Sequence, residues 1–409
     1  MRRFFSDTFA ALAVPPFRLL WVGTLLAFVA FFMSTVVQSV VAFDLTGRND
    51  AVGTVVFAQG VAMALLGPIG GAYADRLPKR RVIAAGQLVA AAVFASLAVL
   101  VAVERIHLAW LAVGSLLMGA SFAFLGPARQ ALAVEYVRDD MRGNAMALSN
   151  VANTGSRVFG PAIAGLCLAI AGFGAAGAYG VMACLYLISA ASVAWLPHSV
   201  VRDGATEKHV FADLGAGFRY VWRHEEVRLL LLFFVTVILT GFPHVTVLPG
   251  LLENQLGLRA ADVSGLYFSS AVGALAASLG VARLADSQRA LMVYSTCAFG
   301  FGASLIGLAW SPSYGLAGVM MFVIGATSGG FQVLNAAVIA RRVEPMYIGR
   351  VMSLTMLAFA GFGLMSLPYG VMADAVGERT TLFAMGVAVL VLSIGFTLGL
   401  FRLEARRNG

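Results

Sequence analysis

Twelve long apolar segments limit the fold of this chain more than any other feature. A helix that crosses a bilayer needs about 20 predominantly apolar residues, and each segment reaches that length. The segments lie at roughly 19–43, 51–74, 82–103, 108–128, 144–171, 176–196, 228–251, 263–284, 291–310, 314–340, 351–373 and 381–401. The strands of an outer-membrane barrel alternate in polarity and do not form such runs. The pattern predicts an all-α membrane protein with twelve transmembrane helices, which we number as spans 1 to 12.

Composition excludes a soluble protein. Of the 409 residues, 60% are hydrophobic and 12% are charged, whereas a soluble domain carries about 25% charged residues. The three cysteines, Cys167, Cys184 and Cys297, lie in apolar segments without paired spacing, so we predict neither a disulfide nor a metal site. No Gly-x-x-x-x-Gly-Lys-Ser/Thr loop occurs in the sequence, which excludes an ATP-driven pump. No nucleophile–base set favours a membrane enzyme.

The basic residues predict the orientation in the membrane. Cytoplasmic loops of membrane proteins are enriched in lysine and arginine. With both termini inside, 23 of the 28 basic residues fall on the cytoplasmic side and four on the outer side, while Arg157 lies within span 5. We therefore attribute the net charge of +8 to membrane topology and not to nucleic-acid binding. The excess of arginine over lysine suggests a bacterial chain, so we expect the bacterial inner membrane, with cytoplasmic termini.

A polar connector at residues 197–227 divides the spans into two groups of six. It predicts an N-terminal six-helix bundle at residues 1–196 and a C-terminal one at residues 228–409. The halves also resemble each other, because segment 137–148 matches segment 343–354 at an offset of 206 residues. Such duplication is typical of transporters that bind their substrate between the repeats.

Within the connector, apolar residues recur at helical spacing with arginines between them. The apolar residues are Phe211, Leu214, Phe218, Val221 and Trp222, and the arginines are Arg219 and Arg223. This pattern predicts a short amphipathic helix on the inner membrane face. A solvated linker helix is the alternative.

The loop between spans 2 and 3 carries the most specific motif. It reads Gly71-Ala-Tyr-Ala-Asp75-Arg76-Leu-Pro-Lys79-Arg80. The glycine allows a neighbouring helix to approach closely, and the aspartate can cap a helix or pair with an arginine. The basic residues can anchor the loop at the anionic inner surface. An ordinary positively charged turn would not need this order of residues.

With this motif, the sequence closely resembles the major facilitator superfamily, whose signature in the same loop is Gly-x-x-x-Asp-Arg-x-Gly-Arg-Arg. The resemblance covers nearly the whole chain, although Pro78 replaces a usual glycine. It implies the major facilitator fold of two pseudo-symmetric six-helix bundles, with alternating access. The implied gating motif, which holds the two halves together at the cytoplasmic side, comprises Gly71, Asp75, Arg76, Lys79 and Arg80.

Further segments resemble the branch of this family that contains enterobactin exporters and macrolide efflux proteins. They are 43–47, 126–131, 157–161 and 217–221. A series in span 5 is also similar to the motif of drug–proton antiporters, and it consists of Gly155, Gly160, Pro161 and Gly165. Because proline removes a helix hydrogen bond and glycines permit tight packing, we expect a bend of span 5 against span 8. The alternative is a kinked packing helix without directional meaning.

Arg157 lies deep inside a span, about 20 Å from the inner end of span 5 at 1.5 Å per residue. A charge at such depth is costly and marks a functional site by default. The arginine could bind an anionic or carbonyl-rich substrate, or it could form a charge network with Asp44. A structural interpretation, in which it bonds neighbouring carbonyls and Asn153, stays open.

No Asp or Glu lies near the middle of a predicted span. If protons drive transport, the titratable candidates are therefore Asp44, His244 and Glu135. Histidine titrates near neutral pH, which suits coupling, but His244 and Asp44 could equally be structural.

The family resemblance places spans 1, 4, 7 and 10 innermost, with spans 2, 5, 8 and 11 beside them. Polar or aromatic cavity candidates on these spans are Gln38, Asn150, Asn153, Tyr267, Gln332, Asn335 and Tyr369. Some of them could serve only as interhelical contacts. A cavity with few charges and many phenylalanines suits large amphipathic compounds better than sugars or phosphates.

These observations predict a secondary active exporter of bulky amphipathic compounds, either antibiotics or a siderophore. We expect proton antiport to drive it without a cofactor. We also expect a monomer whose partners are its small-molecule substrate and the lipid bilayer. One alternative is an importer or facilitator of a specific metabolite, such as an anion that pairs with Arg157. Another is a transporter-like protein used for sensing or assembly.

Overall fold

Long helices account for nearly all residues that the computed structural model describes, namely 10–197, 210–282, 284, 287, 289–344 and 346–408. Those that correspond to spans 1 to 6 are α1 (Pro15–Thr46), α2 (Asn49–Arg76), α3 (Lys79–Ala102), α4 (Leu108–Glu135), α5 (Arg142–Ala169) and α6 (Gly174–Ala194). The connector contains α7 (Val210–Arg223), and span 7 consists of α8 (Glu225–Gly241) and α9 (His244–Gly250). Spans 8 to 12 are α10 (Val263–Ala282), α11 (Ala290–Ala309), α12 (Tyr314–Arg342), α13 (Ile348–Val376) and α14 (Glu378–Asn408).

The helix bounds confirm the predicted all-α membrane fold. Within the described residues, eleven helical segments are long and apolar enough to cross a membrane. The remaining predicted span, α5, is a helix of 28 residues, but it is too polar to meet the same criterion. Its polar residues include Asn150, Asn153 and Arg157. In a bilayer such a face must lie against water or protein.

Span 7 is interrupted near its middle. α8 ends at Gly241 and α9 begins at His244, directly after Pro243. Proline has no N–H to donate to the preceding turn, which accounts for the break. His244 is buried at the break, and its Nδ1 donates a hydrogen bond of 2.8 Å to the carbonyl of Gly241.

The chain forms two compact units, and the division between them does not fall at the connector alone. The N-terminal unit contains Met1–Val41 and Val61–Lys208, and the C-terminal unit contains Ala42–Gly60 and His209–Gly409. The end of α1 and the first half of α2 therefore pack with the C-terminal unit. Contacts between α2 and α13 explain why these residues belong to the C-terminal unit.

Glycines bring α2 and α13 together inside the C-terminal unit. A Cβ at Gly60 would lie 2.7 Å from the Cα of Gly363, and one at Gly53 would lie 2.6 Å from a backbone oxygen of α13. A Cβ at Gly370 would likewise lie 2.6 Å from a backbone oxygen of α2. Small residues allow such close helix packing in membranes. We refer to Gly53, Gly60, Gly363 and Gly370 as the glycine seam.

The connector contains the predicted short helix, α7. Tyr220 and Val221 are buried, and the Tyr220 ring stacks on Tyr347 with 4.2 Å between the ring centres. Phe218 and Trp222 are exposed and stack on each other at 5.6 Å. The predicted apolar residues thus divide between buried Val221 and exposed Phe218 and Trp222. That this helix lies on the inner membrane face stays a prediction. The side chains of Phe211 and Leu214 lie outside the described residues.

Candidate substrate-binding site

The basic residues of the motif between α2 and α3 bond within the N-terminal unit. The Lys79 ammonium pairs with the carboxylate of Glu135 at the end of α4. The Arg80 guanidinium donates to the backbone carbonyl of Ala194 at the end of α6. These two side chains tie the start of α3 to the ends of α4 and α6. Glu135, one of the predicted coupling residues, thus already has a cationic partner.

The other motif residues are not described beyond their backbone. Gly71, Asp75 and Arg76 belong to the last turns of α2, and their side-chain surroundings lie outside the described part of the chain. The gating role that the family resemblance implies for the motif stays a prediction.

Gly160 is the position of the α5 motif where helices approach most closely. A Cβ there would lie 2.6 Å from the Phe32 Cβ and 3.0 Å from a backbone nitrogen of α1. Gly155 has only an ordinary contact, at 3.9 Å, while Pro161 is buried inside α5 and Gly165 is half-buried. The close partner of this motif is therefore α1, and packing against span 8 stays a prediction.

Arg157 lies on the polar face of α5. It is exposed, as is Asn150, and Asn153 is half-buried beside them; spacings of three and four residues place all three on one side of a helix. The guanidinium carbon of Arg157 lies 5.3 Å from the centre of the Phe32 ring, a cation–π distance. Among the described residues, none of the ion pairs involves Arg157.

Arg129 is a candidate functional residue that the sequence patterns did not reveal. The predicted span 4 ends near residue 128, but α4 continues to Glu135 and carries Arg129 inside the helix. Its side chain is only 7% exposed, and its guanidinium carbon lies 5.6 Å from the centre of the Phe28 ring. Its Nε and Nη2 are buried without a hydrogen-bond partner in the described structure. Apolar residues on both sides of Arg129 in the sequence could have indicated that the helix continues through it.

Four phenylalanine rings connect the two arginines. The rings of Phe28 and Phe122 are 6.3 Å apart, and Phe122 stacks on Phe31 at 4.7 Å. Phe31 then meets Phe32 edge to face at 5.4 Å. We call the six residues, all in the N-terminal unit, the Arg–Phe cluster: Phe28, Phe31, Phe32, Phe122, Arg129 and Arg157. The cluster brings Arg157 together with apolar surface, as a site for an amphipathic compound requires.

Gln38 lies on α1 and contacts α4. Its Oε1 accepts a hydrogen bond of 2.8 Å from the Ser115 hydroxyl. Its Nε2 is buried without a partner among the described residues. One end of this side chain therefore holds two helices together, while its amide nitrogen is buried between them.

The candidates in the C-terminal unit act mainly in contacts between helices. Tyr267 donates to a carbonyl of α9 at 3.1 Å, and Asn335 accepts from the Tyr294 hydroxyl of α11 at 3.1 Å. Gln332 bonds a carbonyl of its own helix at 3.3 Å. Tyr369 is half-buried on α13. These geometries support the structural interpretation for Tyr267 and Asn335.

The two remaining coupling candidates occupy different environments. His244 is buried in the break of span 7, with its ring 6.0 Å from that of Phe301. Asp44 is exposed in the last turn of α1. The hydrogen bond of His244 to Gly241 stabilises the break, which favours a structural role for the histidine.

A second cluster that sequence reasoning missed lies in the C-terminal unit, and we call it the carboxylate cluster. Glu378 is 4% exposed, and its carboxylate accepts from the side-chain amides of Asn49, Asn254 and Gln255 at 3.1, 2.7 and 3.0 Å. Asp374, four residues earlier near the end of α13, accepts hydrogen bonds from the backbone of the first residues of α2. Acidic residues at helix ends thus form buried contacts between segments.

Long apolar helices in two units, with repeated segments and a cationic and aromatic cluster inside one unit, define a polytopic membrane transporter of small molecules. The sequence profile of the Major Facilitator Superfamily matches residues 20–363, and the chain belongs to this family. It is a transporter and not an enzyme.

Relatives agree with the predicted branch. The chain is 26% identical over 363 residues to the staphyloferrin A transporter of Staphylococcus aureus, over 87% of this chain and 89% of that protein. It is 19% identical over 388 residues to macrolide efflux protein A of Streptococcus pyogenes, over 92% of this chain and 94% of that protein. The crystal structure of the nucleoside transporter NupG superposes with a TM-score of 0.77 at 14% identity, over 94% of this chain and 99% of that one. That structure shares the fold.

Proposed function

We propose that this protein is a secondary active exporter of bulky amphipathic small molecules, driven by proton antiport with alternating access. We place it as a monomer in the bacterial inner membrane, with both termini in the cytoplasm. The observation that carries the proposal is the Arg–Phe cluster, which offers apolar surface and polar groups in one place. The relatives named for a siderophore and for macrolide efflux support this class of substrate.

For proton coupling, the geometry favours Glu135 over Asp44 and His244. Glu135 lies at the inner end of α4 and pairs with Lys79 of the loop motif. Protonation of the carboxylate would remove that pair and free the lysine. A proton arriving at Glu135 would therefore loosen the link between the inner ends of α3 and α4.

The test is accumulation of fluorescent amphipathic dyes and labelled macrolides in drug-sensitive cells, with and without a protonophore. The intact protein is compared with Asp75→Asn and with a control, Asp139→Asn, at an exposed inner turn. We expect lower accumulation with the intact protein and the control, lost in Asp75→Asn and on addition of the protonophore. Unchanged accumulation of every compound, with the protein present in the membrane, contradicts a broad efflux function. A single dedicated substrate, a siderophore first, would then be tested.

Import or facilitated transport of a specific anionic metabolite is the second candidate function. The Arg129 Nε and Nη2, which have no hydrogen-bond partner among the described residues, and the exposed guanidinium of Arg157 favour it. Proteoliposomes with an imposed pH gradient of either sign distinguish the two directions. Uphill movement of substrate against the proton flow supports export, and movement along with it supports import.

A further inference from the structure

We infer that the Arg–Phe cluster is a binding site for an amphipathic organic anion, whose negative charge is attracted by Arg129 and Arg157 and whose apolar body lies on the four phenylalanine rings. The inference rests on the proposed function and specifies its substrate class. It concerns the N-terminal unit alone.

The first argument is that the cluster contains more positive charge than its protein surroundings balance. Among the described residues, neither arginine belongs to an ion pair. Two guanidinium nitrogens of Arg129 are buried without an acceptor in the described part of the chain, a costly state for a charged donor. The contacts with Phe28 and Phe32 compensate for only part of that cost, because a cation–π contact does not replace a hydrogen bond. An anionic ligand would supply the missing acceptors.

The second argument comes from the internal repeat. At the offset of 206 residues that relates the two halves, Arg129 corresponds to Asn335 and Arg157 to Gly363. Asn335 is buried but neutral, and the Tyr294 hydroxyl satisfies its side-chain oxygen. Gly363 belongs to the glycine seam. The duplicated helices thus pack without a cation at either position, so the fold itself does not require the two arginines.

The third argument is the geometry of the rings. Phe28 and Phe32 are one helical turn apart on α1, and each lies against one arginine. Phe122 of α4 and Phe31 complete a continuous aromatic surface between the two charges. Guanidinium groups bind carboxylates through two parallel hydrogen bonds, and aromatic rings bind flat or apolar groups. The cluster therefore fits a compound that combines both features.

Equilibrium binding to the purified full-length protein in detergent tests the inference without any gradient. The probes are pyrenebutyrate, which is anionic, and pyrenebutanol, which has the same apolar body without the charge. The variants are Arg129→Gln, Arg157→Gln, Arg129→Lys and Phe122→Leu, and the control is Arg138→Gln, an exposed arginine paired with Asp140. Thermal unfolding and gel filtration establish that each variant folds.

We expect each glutamine variant to bind pyrenebutyrate at least ~10-fold more weakly, since a charge-assisted hydrogen bond is about twice as strong as a neutral one. Pyrenebutanol binding should stay within about twofold, because the rings that bind the apolar body are intact. Arg129→Lys should restore part of the affinity for the anion, and Phe122→Leu should weaken both probes. The control should change neither.

Equal losses for both probes, or no loss in either glutamine variant, would overturn the inference. Should Arg129→Gln fail to fold, Arg157→Gln and Arg129→Lys decide the outcome. The result is separable from that of the proposed function. If the protein binds the anionic probe selectively but does not export, the inference stands and the proposed function fails. If both glutamine variants still export uncharged dyes and the protein shows no charge-selective binding, the proposed function stands and the inference fails.

Discussion

Asp374, near the end of α13, caps the first turn of α2 by accepting a hydrogen bond of 2.8 Å from the backbone N–H of Asn49. Its second carboxylate oxygen accepts from the backbone N–H of Asp50 at 2.9 Å. The first N–H groups of a helix have no partner within the helix, and a carboxylate there also stabilises the helix dipole. A side chain from a distant helix thus replaces the usual local cap.

Replacement of this cap should weaken the attachment of α2. In Asp374→Asn we expect a loss of about 1 kcal/mol, because the negative charge at the helix N-terminus disappears. Thermal unfolding in detergent measures the loss, and labelling of a single cysteine at position 54, a half-buried threonine outside the glycine seam, measures local opening in a cysteine-free background. The control, Asp262→Asn, changes an acidic residue that only pairs locally with Arg259. Identical labelling rates in the two variants would contradict the role of the cap.

The glycine seam gives a second prediction with a control on the same helix. A Cβ at Gly60 would lie 2.7 Å from the backbone of Gly363, whereas one at Gly67 meets nothing within 4 Å. Gly60→Ala should therefore destabilise the protein by about 1–3 kcal/mol through overpacking. Gly67→Ala should leave stability unchanged or raise it by up to about 1 kcal/mol, because alanine favours helices. Equal unfolding temperatures for the two variants would contradict close packing at the glycine seam.

A similar pair of variants tests the contact between α5 and α1. Gly160→Ala should lower stability and transport, because the added Cβ would lie 2.6 Å from the Phe32 side chain. It would also displace a ring of the Arg–Phe cluster. Gly155→Ala, in the same motif, has room and should behave like the natural protein. Transport assays and thermal unfolding on both variants check the difference. A defect in Gly155→Ala alone would contradict the assignment of the close contact with α1 to Gly160.

The ion pair of Lys79 and Glu135 yields a prediction about energy coupling. In Glu135→Gln we expect the loss of transport driven by a pH gradient, since the amide cannot take up a proton and release the lysine. Substrate exchange without a gradient should persist, because the Arg–Phe cluster is unchanged. Counterflow and gradient-driven assays in proteoliposomes separate these activities, with Glu104→Gln in the exposed turn after α3 as the control. Gradient-driven transport at the natural rate would exclude Glu135 as the coupling residue.

Sequence patterns were sufficient for features that depend on neighbouring residues. The predicted spans match the helices to within four residues, except that the helices of spans 4 and 12 each end seven residues later than predicted, because each apolar run must be a helix in a bilayer. Arg157 was found because a charge in an apolar run stands out. Arg129 was missed because it lies near the end of a run, where the sequence alone does not distinguish a loop from a helix that extends further.

The amino-acid sequence by itself determined the membrane class, the helices, the duplication and the family, because these follow from local hydrophobicity and short motifs. Only the tertiary structure decided which rings connect Arg129 with Arg157 and that Asp374 caps α2. It also decided that the first half of α2 packs with the C-terminal unit. The physical reason is sequence separation: Asn49 and Asp374 are 325 residues apart, and hydrophobic patterning carries no information on which distant side chains meet when apolar helices pack.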